Sequence, residues 1–168
     1  NKYTRKKAYD LIKKYIQIKF QINKKVKLFA NKHFKQSFII GVHYRGTDKR
    51  IEVRRVSYDE VVEQINKEIS NLNSKPYKIF IATDEQEFID YLSQLFPDKV
   101  CYYENAIRSK GNFAPIHYNA NHPPFKVGED ALIDCLLLSK ANLLIRTASN
   151  LSDWSTYFNP HMPVIKLN

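Results

Sequence analysis

Phe38-Ile39-Ile40-Gly41-Val42-His43-Tyr44-Arg45-Gly46-Thr47-Asp48-Lys49 is the stretch on which the fold of this chain turns. Its first five residues form a continuous apolar run, as expected of a strand buried on both faces. Polar residues follow at once. Similar runs recur at 77–82, 100–103, 143–145 and 164–167, each short and rich in Ile, Val, Leu, Phe and Tyr. Between them lie segments with helical spacing. Ser57 followed by Glu60 predicts a capping box for a helix to about Ser70. Thr83-Asp84-Glu85 reads as the opening of a helix that stops near Phe96, before Pro97. Residues 129–140 and 150–158 complete the set, and 104–127, with three prolines and several asparagines, read as a long loop. Alternating strands and helices predict an α/β fold: a Rossmann-like parallel sheet with helices on both faces.

The charge is distributed unevenly. The net charge of the 168 residues is +10, yet residues 1–35 hold twelve Lys/Arg against one acid, Asp10, and residues 36–168 are nearly neutral. The chain therefore divides into a basic helical N-terminal segment, 1–35, with helices expected over 3–20 and 24–34, and a Rossmann-like domain, 36–168. Nucleic acid, an anionic membrane surface, an acidic partner or plain solvent would each suit the basic segment.

Several functions are excluded. The four glycines, Gly41, Gly46, Gly111 and Gly128, cannot form the G-x-G-x-x-G dinucleotide fingerprint. Gly41 and Gly46 have phosphate-loop spacing, but Thr47-Asp48 stand where Lys-Ser/Thr is required, which rules out an ordinary phosphate-loop NTPase. His33, His43, His117, His122 and His161 show no zinc spacing, so no metal site is expected. No apolar run approaches the ~18 residues of a membrane span. Cys101 and Cys135 are too few for a disulfide framework, and Cys135 lies in an apolar helix as a small buried residue. The chain opens on Asn1 rather than Met and reads as a domain of a longer protein.

In parallel sheets ligands bind beyond the C-terminal ends of the strands. Three polar clusters converge there: His43 to Lys49, Thr83-Asp84-Glu85, and Thr147-Ala148-Ser149-Asn150. Arg45 offers a planar fork of donors suited to a diphosphate, and Gly46 permits close backbone approach. Thr147, Ser149 and the following helix N-terminus add hydroxyl and amide donors. Asp84 and Asp134 are acceptors for a ribose or a base edge. Each residue also has a plainer use. Arg45 can pair with Asp48 on the surface, Ser149 and Asn150 can cap a helix, and Asp84 is a good N-cap.

These residues resemble a known superfamily. His43-Tyr44-Arg45-Gly46-Thr47-Asp48-Lys49 is similar to the H-x-R-x-x-D-K segment of GDP-fucose-dependent α-1,6-fucosyltransferases, whose relatives include nodulation and protein O-fucosyltransferases. Ile81 to Glu85 resembles their second motif, and Asp134 through Asn150 the third. The resemblance spans residues 36–160 and implies the C-terminal, donor-binding half of a GT-B glycosyltransferase. It implies that Arg45 holds the β-phosphate and that His43 helps seat the nucleotide. Asp84 and Asp134 would contact ribose and guanine, and Ser149 the diphosphate. Lys49 matches the motif's lysine and Glu85 its second acidic position. Two departures stand out. Gly46 replaces a second arginine, and the family's catalytic glutamate falls on Val53, leaving Glu52 or Asp48 as the base.

The function so implied is an inverting, metal-independent transfer of fucose from GDP-fucose to a glycan hydroxyl. Arg45, Glu52 and Asp48 would be catalytic, and no cofactor would be needed beyond the donor substrate. The expected partners are the donor, a glycan acceptor, an N-terminal acceptor domain outside this chain and an anionic membrane surface; nucleic acid is not favoured. An alternative of another class is a non-catalytic nucleotide-binding module whose basic segment holds nucleic acid or membrane. Asn150-Leu151-Ser152 is a glycosylation sequon at the expected diphosphate site. With two unpaired cysteines and no leader pattern, it favours the cytoplasm. The secretory pathway is the alternative, should an anchor lie outside the chain.

Overall fold

The computed structural model describes residues 2–46, 54–109 and 123–168. Five parallel strands form one sheet: β1 (Phe38–Tyr44), β2 (Tyr77–Thr83), β3 (Val100–Tyr102), β4 (Leu143–Arg146) and β5 (Val164–Lys166). Their order is β3-β2-β1-β4-β5. Val42 on central β1 pairs with Ile81 on one side and Ile145 on the other. The chain winds outward from β1 through β2 to β3 and then returns to add β4 and β5 on the opposite side. The switch point, and hence the expected crevice, lies between the C-terminal ends of β1 and β4.

Strand periodicity divides the interior into two cores. Ile39 and Phe80 face one side with Ile133, Leu137, Leu144 and Met162. Ile40, Val42, Tyr44, Ile79 and Ile81 face the other with Val61, Ile65, Phe88 and Leu92. Helices α3 (Tyr58–Ser70) and α4 (Gln86–Leu95) supply the second core. The first is covered by α2 (Phe20–His33), α5 (Pro124–Leu138) and α6 (Asn150–Phe158), and α1 (Lys2–Tyr15) packs on α6. A Cβ on Gly41 would sit 2.9 Å from the Ala141 Cβ, so glycine is what lets the end of α5 close on β1. Cys101 and Cys135 are both buried, and desolvation pushes each thiol up to about 12.

The strands, the α/β class and the Ser57–Glu60 capping box agree with the sequence reading; Ser57 Oγ accepts from the Glu60 N–H and the Glu60 carboxylate from the Ser57 N–H. Several boundaries differ. The first helix ends at Tyr15, not at residue 20, and a new one starts at Phe20. The helix expected to open at Thr83-Asp84-Glu85 is α4, but Thr83 still pairs in β2 and Glu85, not Asp84, is the N-cap residue. The helix expected at 129–140 runs from Pro124 to Leu138, which shortens the expected 104–127 loop. Proline is well placed at the first helical turn, where its missing N–H has no partner to lose. Among the described residues no helix is long and apolar enough to cross a membrane.

Candidate active site at the strand ends

Because side chains alternate along β1, Ile39, Gly41 and His43 look toward α5 while Tyr44 looks toward α3 and α4. Beyond the strand ends lies one pocket, lined by His43, Arg45, Asp84, Asp130 and Asp134. The base of its wall is apolar, with Ala82, Val127 and Leu151. Four residues expected at the site are thus brought together from β1, β2 and α5.

At the β1–β4 end the polar groups bind one another. The Arg45 N–H donates to Thr147 Oγ1 at 2.9 Å, and the Thr147 N–H donates to the His43 carbonyl at 3.0 Å. Arg45 Nε lies 3.7 Å from Asp84 Oδ2, an ion pair still reachable by solvent. The plainer pairing of Arg45 with Asp48 lies outside the described residues. Ser149 Oγ accepts from the Leu151 N–H at 3.3 Å and so caps α6. Ser149 and the exposed Asn150 are off the pocket wall, at the turn behind it. Glu85 is buried beneath Gly46 rather than on the wall, taking a 2.6 Å hydrogen bond from the Tyr58 hydroxyl. Thr47, Asp48, Lys49 and Glu52 lie outside the described residues, as do His117 and His122.

The α5 end is different. Asp134 is only 7% exposed, and its Oδ1 has no hydrogen-bond partner among the described residues. Desolvation raises its carboxyl to about 7, partly offset by the nearby Arg108 charge and reinforced by Asp130. His43 shares this burial with the opposite titration: desolvation, then the Arg45 and Arg146 charges, lower it to about 3, so it is neutral at physiological pH. Its Nδ1 also lacks a partner among the described residues.

Asp130 is the site residue that sequence reasoning missed. It sits one helical turn before Asp134, pairs with Lys126 and accepts from the Ile107 N–H at 3.3 Å. Lys126 also donates to the Asn105 carbonyl at 2.9 Å, and the Arg108 guanidinium to the carbonyls of Tyr103 and Ala106 at 3.0 and 3.1 Å. The Arg108 bonds shape the 103–108 turn, the Lys126 and Asp130 bonds hold it against α5, and Ala106 and Ile107 form that side of the pocket. The signal was the i,i+4 spacing of two aspartates on one helix. Among the described residues no cluster of three His, Cys, Asp or Glu could hold a metal ion.

A parallel sheet of this order, with a pocket at the C-terminal ends of β1 and β2, defines a Rossmann-like α/β domain. Residues 4–168 match the family model described as Nodulation protein Z (NodZ), and the chain belongs to that family. It is similar to a NodZ α-1,6-fucosyltransferase co-crystallized with GDP, at 24% identity and a TM-score of 0.69 over 95% of this chain and 48% of that one. The same enzyme soaked with GDP-fucose gives 25% identity, a TM-score of 0.69 and the same coverage. POFUT1 in complex with GDP gives 15% identity and a TM-score of 0.61 over 92% of this chain and 48% of that one. The chain thus spans about half the length of the structures it resembles. No curated protein matches it significantly by sequence.

Proposed function

We propose that the chain is the donor-binding half of a GT-B fucosyltransferase that moves fucose from GDP-fucose to a glycan hydroxyl with inversion. The observation that carries this reading is the pocket itself, whose lining includes both an arginine, Arg45, and a buried carboxyl, Asp134. A nucleoside diphosphate has complementary ends. Arg45 and backbone amides suit the diphosphate, Asp84 a ribose hydroxyl, and ionised Asp134 the adjacent N1–H and N2–H donors of guanine. Uracil and adenine do not present that pair of donors. Neutral His43 contributes a nucleotide seat that does not add charge.

In the transfer, the acceptor oxygen attacks the anomeric carbon on the face opposite GDP. Its proton passes to a carboxylate, for which Glu52 and Asp48 are the candidates, and the bond from the anomeric carbon to the β-phosphate oxygen breaks. Arg45 and oriented amides neutralise the leaving diphosphate, a task that otherwise falls to a divalent cation. The acceptor glycan and the domain that holds it complete the proposal, as do contact of the basic helices with an anionic membrane and action in the cytoplasm.

The test is a thermal-shift and calorimetric panel of GDP, UDP, ADP and their sugars, with and without EDTA. Preferential stabilisation by GDP and GDP-fucose, unaffected by EDTA, is expected. Preference for a uridine or adenosine nucleotide would remove the donor assignment.

A further inference from the structure

We propose that Glu85 is a positioning residue for Arg45, acting through the backbone of Gly46 and not by touching the donor. The proposal rests on the donor-site reading above. A Cβ placed on Gly46 would overlap the whole Glu85 carboxyl group, with Cδ at 2.6 Å and Oε2 at 2.8 Å. The Gly46 backbone is not in the left-handed region, so the position needs a glycine for space, not for conformation. The residue beside Arg45 is therefore seated directly on a carboxylate.

That carboxylate is held from the other side. Glu85 is 1% exposed; Tyr58 Oη donates to Oε2 at 2.6 Å and Arg55 Nη2 lies 3.4 Å from the same atom. Arg55 Nε also donates to Tyr44 Oη at 3.3 Å, and Tyr44 Oη donates to the Val56 carbonyl at 2.9 Å. The Glu85 N–H donates to Thr83 Oγ1 at 3.2 Å. Residues on both sides of the 47–53 segment, Tyr44 and Gly46 before it and Arg55, Val56 and Tyr58 after it, thus meet in one cluster around the buried Glu85 carboxylate. A buried carboxylate so bonded has little freedom to move. It fixes where β1 ends and, one residue earlier, where the Arg45 guanidinium begins. Positional errors of about 1 Å at such a group are costly to binding and rate.

The experiment uses the whole chain, GDP calorimetry and thermal unfolding. Gly46→Ala, which forces the backbone and carboxylate apart, is expected to weaken GDP binding at least tenfold while the protein still unfolds cooperatively. Glu85→Asp withdraws the carboxylate by one methylene and makes room for a methyl group. The Gly46→Ala/Glu85→Asp chain is therefore expected to bind GDP within threefold of Glu85→Asp alone. Additive losses in this cycle, or unchanged affinity in Gly46→Ala, overturn the inference and leave the donor site standing. Failure of the unsubstituted chain to bind GDP overturns the donor-site reading and the positioning role with it. If Gly46→Ala does not fold, Tyr58→Phe decides: a threefold or larger loss of GDP affinity is expected, and no change overturns the proposal.

Discussion

Where β1 meets β4, beside the pocket, polar atoms are already spent on one another: the Arg45 amide on Thr147, the Thr147 amide on His43, the Ser149 hydroxyl on the start of α6. At the α5 end, Asp134 Oδ1 and His43 Nδ1 are buried and have no partner among the described residues. The first end is rigid before any ligand arrives, because each bond fixes the next. The second carries an unmet hydrogen-bonding capacity that a ligand can satisfy, and burial makes that capacity costly to leave unused. The contrast suggests a division of labour in which the strand ends locate the charge of a ligand and α5 selects what is attached to it.

The largest effect expected is on the strand-end side. Arg45→Ala removes a guanidinium that can bond two phosphate oxygens, and a loss of GDP affinity of roughly 100-fold is expected with an unchanged melting temperature. Calorimetry and a thermal scan check both parts, and an unchanged affinity would erase the distinction between the two ends.

Asp134→Asn comes next and has two opposite readouts. GDP affinity at pH 8 should fall about 10- to 100-fold, since a charged acceptor becomes a neutral amide. Stability should rise. Burial lifts the Asp134 carboxyl from 3.8 to about 7, so between those values the folded chain holds a proton that the unfolded chain has lost, and stability falls as pH rises. The loss is complete above about pH 7 and absent below about pH 4. The variant should therefore exceed the parent by roughly 2–4 kcal/mol at pH 8 and match it near pH 4. A melting curve of the variant that tracked the parent's across this range would show that Asp134 is ordinarily solvated.

Thr147→Val deletes the acceptor of the Arg45 N–H while keeping the shape of the side chain. A three- to tenfold loss of GDP affinity is expected, with about 1–3 kcal/mol of stability. Ser57→Ala sets the floor. It breaks a capping box away from the pocket wall, costs about 1 kcal/mol in denaturant unfolding, and should leave GDP binding untouched.

Much of this was legible from the order of residues alone, and the reasons are local. A buried parallel strand is a short apolar run, so β1, β2 and β4 stood out, and the polar residues at their ends were placed by the rule for such sheets. Asp134 stood out as a carboxylate in an otherwise apolar helical stretch, and the motif resemblance added to it. The start of α5 was hidden because Pro123-Pro124 read as loop, although proline is at home in the first turn of a helix. The break between α1 and α2 was expected too late in the chain, because it carries no Gly or Pro and Lys19 makes no side-chain cap to mark its position. Asp130 is one of two adjacent acids, Glu129 and Asp130, at the start of the expected helix, and nothing in the local sequence says which of them faces inward. The seat of Gly46 on Glu85 depends on the parallel pairing of β1 with β2, which brings the residues beyond both strands together, and no local pattern encodes that.

The buried cysteines have a practical consequence. Thiols held protonated within the sheet edge and within α5 react with alkylating reagents only when the surrounding structure opens. Cys101 lies on edge strand β3 and Cys135 on the helix that walls the pocket. Their two labelling rates are separate clocks for the opening of those regions. A ligand seated against α5 would slow the Cys135 clock more than the Cys101 clock, so the native protein carries its own pair of time-resolved occupancy probes.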